Sequence, residues 1–329
     1  MSRFPFPRYP NGWFQIAYSA DVKPGDVVPL KYFGRDLVLF RNEAGEVSLL
    51  DAHCPHMGAH LGYGGKIENG CLRCPFHAWK FDGTGACVEV PYSPRIPPRA
   101  RVKSWHVKDI NGLILAWHHL GGQPPAWDIA PNPEFGSAEW TPYECRRWKV
   151  RTHNQEMAEN AVDSAHFHYV HGTLEMPTSK AHVDGHILQV VSDTMMKTPM
   201  GKVKGQVESI SHGFGYALTR FTGIVETLLV ASITPIDDEF VDVRFSFTVK
   251  KLPNSDATST VGAAFIREIE RQLGQDIPIW ENKVYVNPPL VVEGDGPIGI
   301  FRRWCKQFYV TGEPGTSGAE IEGAATATA

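Results

Sequence analysis

Residues 54–77 read CPHMGAHLGYGGKIENGCLRCPFH. Two short loops, Cys54-Pro55-His56 and Cys74-Pro75-Phe76-His77, each offer one thiolate and one imidazole, with seventeen residues between His56 and Cys74. The prolines stiffen both loops, and Gly58, Gly62, Gly64 and Gly65 let backbone pass close to a bound group. Three readings compete. A Cys2His2 zinc site has the right number of donors, but zinc fingers pair Cys with Cys and His with His along the chain, on a ββα unit. Structural cysteines and hydrogen-bonded histidines placed by chance are not expected to produce two such loops in one segment. An iron–sulfur cluster held by two cysteines on one iron and two histidines on the other explains one donor of each type per loop. Neutral imidazoles bring less negative charge than thiolates, so reduction is easier than in an all-cysteine cluster.

The surroundings read as β-structure. Leu37-Val38-Leu39-Phe40 is apolar and β-prone, Asn42 to Gly45 is a turn, and Val47 to Leu50 begins a return strand. Ala78 to Phe81 leads to a turn at Asp82-Gly83-Thr84-Gly85. Asn111-Gly112, between Trp105-His106-Val107 and Leu113 to Trp117, is a strong hairpin signal. Residues 26 to about 118 carry no helical pattern, and residues 1–25, rich in proline and aromatics, are expected to lie over this first domain as an irregular lead-in. Gly121 to Ser137 reads as a linker. These divisions give residues 1–120 as the first domain, 121–137 as linker, 138–312 as a second domain and 313–329 as a disordered tail of Gly, Ala, Thr and Glu.

In the second domain a strand is expected through Tyr143 to Val150. Ile187 to Val191, Gly201 to Ile210, Gly215 to Phe221, Ile224 to Ile233 and Phe240 to Val249 suggest one long antiparallel sheet. Val261 to Gln272 has amphipathic helical spacing and extends toward Trp280, with Pro278 expected to kink or restart it. The fold class is thus α+β, an all-β domain followed by an antiparallel sheet flanked by helices in a helix-grip-like arrangement.

The 329 residues fit two domains at roughly 150 residues each. A net charge of -4 argues against nucleic acid or an anionic membrane as partner. The N-terminus lacks the apolar core of a signal peptide, and no apolar run is long enough to span a membrane, so a cytoplasmic protein is expected. Cys71, Cys87, Cys145 and Cys305 read as buried small hydrophobes.

A second ligand-rich stretch, Asn160 to His171, reads NAVDSAHFHYVH. Placed on one helix from Met157 to His171, with Thr152-x-x-Gln155 as a capping box, it has an apolar stripe of Met157, Ala158, Ala161, Val162 and Ala165. Asp163 and His166 share the polar face. His171 lies too far round an unbroken helix to join them, but Gly172 offers a helix stop that lets it turn back toward His166. His168 reads as a packed or hydrogen-bonded histidine. One carboxylate and two imidazoles are candidates for a 2-His-1-carboxylate iron site.

Cys54-Pro55-His56 and Cys74-Pro75-Phe76-His77, followed by Ala78-Trp79-Lys80-Phe81-Asp82, resemble the Rieske domain of Rieske non-haem iron oxygenases. The Asp-x-x-His-x-x-x-x-His pattern of Asp163, His166 and His171 resembles the iron motif of the same family, so the likeness covers most of the chain. It implies a [2Fe–2S] cluster on Cys54, His56, Cys74 and His77, and Fe(II) on His166 and His171. It also implies that Asp163 is not a ligand but a hydrogen-bonded bridge from His166 to the partner subunit's His77. The third ligand is expected on a C-terminal helix, and Gln275-Asp276-Ile277-Pro278-Ile279-Trp280 is similar to the family's segment there, which points to Asp276. Spacing alone does not separate Asp276 from Glu268, Glu270 or Glu281, or from a solvent-facing role.

The resemblance further implies an oxygenase component that passes electrons from cluster to iron, activates O2 and hydroxylates its substrate. A homotrimer is expected, served by a separate NAD(P)H-dependent reductase with or without an intermediary ferredoxin, since no G-x-G-x-x-G fingerprint follows a strand. Asn287-Pro288-Pro289-Leu290, Glu293-Gly294-Asp295-Gly296-Pro297, Phe301-Arg302-Arg303-Trp304 and Gln307-Phe308-Tyr309 look like the C-terminal signature of the 3-ketosteroid 9α-hydroxylase and cholesterol 7-desaturase group. A bulky apolar ring compound, a steroid first, is the implied substrate, and the lack of a membrane anchor favours a soluble hydroxylase. Phe221, Ile224, Val225, Leu228 and Leu229 are candidates for its pocket and read equally as core. Desaturation, an aromatic substrate, and a non-catalytic Rieske electron carrier remain as alternatives. The carrier would need only about the first 120 residues.

Overall fold

The structure, a computed structural model, describes residues 3–198 and 201–312. The tail expected to be disordered, 313–329, lies outside the described residues. In chain order the first strands are β1 (Gly12–Tyr18), β2 (Val27–Tyr32), β3 (Arg35–Arg41), β4 (Val47–Asp51), β5 (Lys66–Glu68), β6 (Cys71–Arg73), β7 (Lys80–Phe81), β8 (Cys87–Glu89), β9 (Ser104–Trp105), β10 (Val107–Ile110) and β11 (Leu113–His118). They form three sheets, β1-β11-β10, β2-β3-β4-β9 and β5-β6-β7-β8. Ile110 pairs with Leu113 across Asn111-Gly112, and both turn residues take positive φ, as a tight two-residue hairpin requires. Leu37 to Phe40 is a continuous apolar run because β3 is covered on both faces. Val38 and Phe40 pack with Cys54, Leu61 and Phe81, whereas Leu37 and Leu39 pack with Phe14 and Ile114.

The lead-in departs from expectation. Gly12–Tyr18 is a buried strand paired with β11. Ahead of it the chain touches both domains: Tyr9 packs on Phe33 and His118 of the first, whereas residues 3–8 run over the second. Arg3 donates to the carbonyls of Trp280 and Glu281, at the end of a long helix whose last carbonyls lack intrahelical partners. Phe6 packs edge-on to His153 and Tyr285 and stacks on Tyr309. A cation and an aromatic ring find complementary partners there, which composition alone did not reveal.

The second domain is built on one antiparallel sheet with β12 (Glu144–Val150), β13 (Thr178–Asp184), β14 (Ile187–Thr198), β15 (Gly201–His212), β16 (Tyr216–Thr222), β17 (Thr227–Pro235) and β18 (Val241–Val249), in the order β12-β18-β17-β16-β15-β14-β13. The edge strand β13 was not expected, because its Thr, Ser, Lys and His residues alternate between half-buried and exposed and give no apolar signal. Leu228 and Val230 face the first domain, against Trp13, Leu115 and Trp117. Leu229 and Ala231 face the opposite way, into a cavity. Buried Asp242 ties the domains together. It accepts from Arg147 at 2.7 Å and 2.9 Å, from Arg244 at 3.0 Å and from Tyr32 of the first domain at 2.5 Å.

The stretch 157–171 is not one helix. It folds as α1 (Asn154–Glu159) and α2 (Ser164–Tyr169), broken at 160–163. Val162 turns fully into the core, and Gly296 packs so tightly on the Val162 carbonyl that a Cβ there would lie 2.1 Å from it. Thr152 is not the cap of α1. His153 is, its Nδ1 accepting from the Gln155 N–H at 3.1 Å. The helix expected from Val261 begins earlier, as α3 (Ser255–Asn282), and passes Pro278 without restarting. A short α4 (Ile298–Cys305) closes the domain. Among the described residues no helix is long and apolar enough to cross a membrane. Cys87 and Cys305 are buried as expected, but Cys71 is half-buried and Cys145 exposed.

Two histidines that fix the lead-in are neutral. His118 donates from Nδ1 to the Pro10 carbonyl, and His153 contacts the Pro7 carbonyl through Nε2. Burial holds them down to about 4 and about 3 respectively. The unfolded chain takes up these protons as pH falls through about 6.5, whereas the fold resists them. Stability is therefore full above that value and declines toward pH 4, by roughly 2 kcal/mol or more per histidine. Thermal melts should show a falling midpoint between pH 6.5 and 4.5, and a flat profile there would contradict the burial of these neutral rings.

Candidate metal centres

The two Cys/His loops leave β4 and β6 and share one backbone plan. The Cys54 N–H donates to the Ala59 carbonyl and the Cys74 N–H to the Trp79 carbonyl, five residues on in both loops. The Gly58 and Ala78 N–H groups, each four residues after a cysteine, donate back to the cysteine carbonyls. Both residues sit in the left-handed region, at φ 76° and 58°. For alanine that conformation costs on the order of 1 kcal/mol, a strain typical of loops shaped around a function. The thiols point inward, with Cys54 and Cys74 buried, while His56 is exposed and His77 half-buried. The two imidazole rings stand 4.6 Å apart, and Trp79 stacks on His56 at 4.7 Å. Burial and the adjacent Cys74 thiol push the Cys54 thiol up to about 11, a penalty on the thiolate that a bound cation would reverse. This donor set, two inner thiols and two outer imidazoles, fits a mixed-ligand [2Fe–2S] cluster with its histidine side toward the surface.

In the second domain His166, His171 and Asp276 each bring a ligand atom within 4.8 Å of the other two. His166 lies on α2, His171 just beyond its end where Gly172 takes φ 75°, and Asp276 on α3. Each imidazole is held through Nδ1. His166 donates to the Asp163 carbonyl at 2.6 Å, and His171 lies 3.1 Å from Gln275 Oε1. That leaves Nε2 of both rings free for a metal, the arrangement expected of ligand histidines. His171 Nε2 is 3.4 Å from Asp276 Oδ2. Burial lowers the His171 pKa, but the Asp276 carboxylate together with Gln275 outweighs it, and the net shift is upward. Burial prevails at His166, whose pKa falls. Two imidazoles and one carboxylate, mutually close and largely buried, fit a divalent iron with open positions.

The other candidates are drawn elsewhere. Glu268 pairs with Arg271, Glu270 with Arg146, and Glu281 accepts from the Arg151 N–H. His168 lies 2.6 Å from the Thr173 carbonyl. Asp163 caps α2 by accepting from the His166 N–H at 3.2 Å, and its Oδ2 is 3.9 Å from His166 Nδ1. Gln275, which orients His171, carried no signal beyond its place next to Asp276.

The triad opens on a cavity of about 220 Å³ between α3 and the sheet. Phe221 and Leu229 line it, as considered from sequence. Leu228 faces the first domain, Val225 packs in a neighbouring core and Ile224 is exposed.

A β-domain presenting paired Cys/His loops, ahead of a sheet-and-helix domain that gathers two histidines and an aspartate, defines the oxygenase component of a Rieske-type oxygenase. The Rieske [2Fe-2S] domain family matches residues 12–106, and the 3-Ketosteroid 9alpha-hydroxylase C-terminal domain family matches residues 116–309. The chain is 31% identical over 324 residues to a 3-ketosteroid-9-alpha-monooxygenase oxygenase component from Rhodococcus rhodochrous, covering 92% of this chain and 82% of that one. It is 32% identical to cholesterol 7-desaturase nvd 1 from Ciona intestinalis, covering 94% of this chain and 70% of the relative. Its fold matches that of NdmB from Pseudomonas putida CBB5, with a TM-score of 0.73, 20% identity and 93% of each chain covered. It also matches dicamba monooxygenase bound to dicamba, with a TM-score of 0.72, 19% identity, and 91% of this chain and 97% of the other covered. The chain belongs to the Rieske monooxygenases that carry the 3-ketosteroid 9α-hydroxylase type of C-terminal domain.

Proposed function

We propose that this protein is the terminal oxygenase of a multi-component system and hydroxylates a C–H bond of a bulky apolar ring compound, a steroid first. The reading rests on one observation above all: His166, His171 and Asp276 converge at the wall of a largely apolar cavity. In this reading Cys54, His56, Cys74 and His77 hold the [2Fe–2S] cluster and the triad holds Fe(II). When bound, the two groups supply single electrons and a site for reductive activation of O2. The chain's own part is to orient both imidazoles through Asp163 and Gln275, to leave one face of the triad open and to keep water from the cavity. Asp163 is the bridge to the partner subunit's His77 in a homotrimer, and a separate NAD(P)H-dependent reductase delivers electrons. Residues 1–120 and 138–312 act as the cluster and catalytic units.

Purified protein should carry three irons per chain and consume O2 only when a reductase and a ring substrate are both present. Product mass separates the chemistries, gain of one oxygen for hydroxylation or loss of two hydrogens for desaturation. Two irons and no uptake with any apolar ring compound would instead indicate an electron carrier. The cavity volume favours a second reading. About 220 Å³ falls below the roughly 300 Å³ usual for drug-sized ligands, which suits a one- or two-ring aromatic compound better than four fused rings. A turnover screen graded by ring number decides between them.

A further inference from the structure

The loop that follows β8 lies against the paired Cys/His loops. Tyr92 on it accepts a hydrogen bond from Trp79 Nε1 at 2.7 Å, and Trp79 stacks on His56 with the rings 4.7 Å apart and within 9° of parallel. Trp79 is buried, whereas Tyr92 is 61% exposed. A short path of side chains thus joins the surface at Tyr92 to an imidazole assigned above to the cluster. Prolines at 91, 94, 97 and 98 restrict this loop, and the Ser93 hydroxyl donates to the Arg95 carbonyl at 2.8 Å. Such a loop loses little conformational freedom on meeting a partner.

The charge of the loop sets it apart. The protein carries a net charge of -4, yet between Glu89 and Asp109 there is no acidic residue. Arg95, Arg99, Arg101 and Lys103 fall in that stretch, all exposed and without an ion pair among the described residues. The carboxylates around them are engaged elsewhere. Glu89 pairs with Lys80, Asp82 accepts from the N–H groups of Thr84 and Ala86 within its own turn, and Asp51 accepts from Trp105. Ile96 stands exposed between the arginines. Positive charge around a small apolar contact is the pattern of transient electron-transfer encounters, in which charge steers the partners together and little area is buried.

We propose that residues 91–103 form the docking surface for the electron donor, an acidic one-electron carrier protein. Tyr92 and Ile96 supply its apolar contact, and Arg95, Arg99, Arg101 and Lys103 supply its charge. One electron leaves the carrier and enters the cluster at each encounter, by way of Tyr92, Trp79 and His56, with no bond made or broken. This rests on the oxygenase reading above for its cluster and adds where the donor lands and the charge it bears. His77 then stays free for the partner subunit, so that electrons enter beside one imidazole and leave by the other.

The test is stopped-flow reduction of the oxidised cluster in the holoenzyme, with oxygen excluded and a pre-reduced acidic plant-type [2Fe–2S] ferredoxin as the probe. The wild-type rate should fall by about tenfold or more between about 20 mM and about 500 mM salt. Arg95→Glu should slow it by about tenfold at low salt, and adding Arg99→Glu should slow it further and flatten the salt dependence. The pair Arg95→Gln and Arg99→Gln should show the same effect more weakly. Tyr92→Ala should slow reduction by about tenfold at low and high salt alike. Arg267→Glu, the same charge change at an exposed position of α3, should leave the rate unaltered. Reduction by the neutral deazaflavin radical should be equal in every variant, because it needs no docking. Equal slowing in Arg267→Glu, or a wild-type rate and salt dependence in the double Glu variant, overturns the surface. So does a change of subunit number in that variant, which would make the loop a contact between copies. So does its loss of binding to phosphatidylserine vesicles at an unchanged ferredoxin rate, which would make the loop a membrane contact. Deazaflavin reduction and substrate-dependent oxygen uptake would still stand in those events, so the docking surface can fail while the oxygenase reading survives.

Discussion

Asp276→Ala is expected to remove one iron per chain and to leave the cluster's visible spectrum intact, while substrate-dependent oxygen uptake falls by about a thousandfold or more. The cause is local. His166 and His171 are each oriented through Nδ1, so α2 and the turn after it present two imidazole donors, and Asp276 of α3 is the carboxylate that joins them within 4.8 Å. Without it the site has too little negative charge and too few donors to retain a hard divalent ion. The rival carboxylates supply the control. Glu268→Ala and Glu270→Ala should keep all the iron, because those side chains pair with Arg271 and Arg146. Gln275→Leu should fall between these cases, weakening iron binding by about tenfold to a hundredfold as His171 loses its orienting partner. Full iron content in Asp276→Ala, or loss of iron in Glu268→Ala, would remove Asp276 from the site.

Much of this arrangement was readable from the chain because metal chemistry narrows residue choice. Two loops that mix Cys and His in one β-rich segment have few explanations, and Asn111-Gly112 specifies its own turn. What stayed hidden depends on contacts between distant segments. The break between α1 and α2 follows from Val162 entering the core beneath Gly296, more than a hundred residues downstream. A helical period assigned to 157–171 contains no trace of that contact. The start of the lead-in eluded the sequence for the same reason, since the carbonyls that Arg3 caps belong to the end of α3. Asp276 stood out by resemblance and not by pattern, as α3 carries several acidic residues at similar spacing.

In the proposed oxygenase Asp163 has two tasks, helix cap and bridge, and a pair of substitutions should separate them. Its carboxylate caps α2 through the His166 N–H, and its backbone carbonyl, not its carboxylate, is the nearer acceptor for His166 Nδ1. The side chain is also about one-third exposed, at 35%, so it can meet a group from outside this chain. Asparagine caps a helix about as well as aspartate, whereas alanine forfeits roughly 1 kcal/mol of capping and loosens the turn that carries His166. Asp163→Asn is therefore expected to bind both metals normally and melt within about 0.5 kcal/mol of wild type, because only the charge is lost. Its electron transfer should nevertheless slow by about a hundredfold, since a neutral amide cannot accept from imidazoles on both sides as a carboxylate does. Asp163→Ala should show that slowing together with lower stability and weaker iron retention. Stopped-flow reoxidation of the reduced cluster, with substrate and O2 present, reads the transfer rate directly. A wild-type rate in Asp163→Asn would leave Asp163 as a helix cap alone, and the path to the partner subunit's His77 would then run through other atoms.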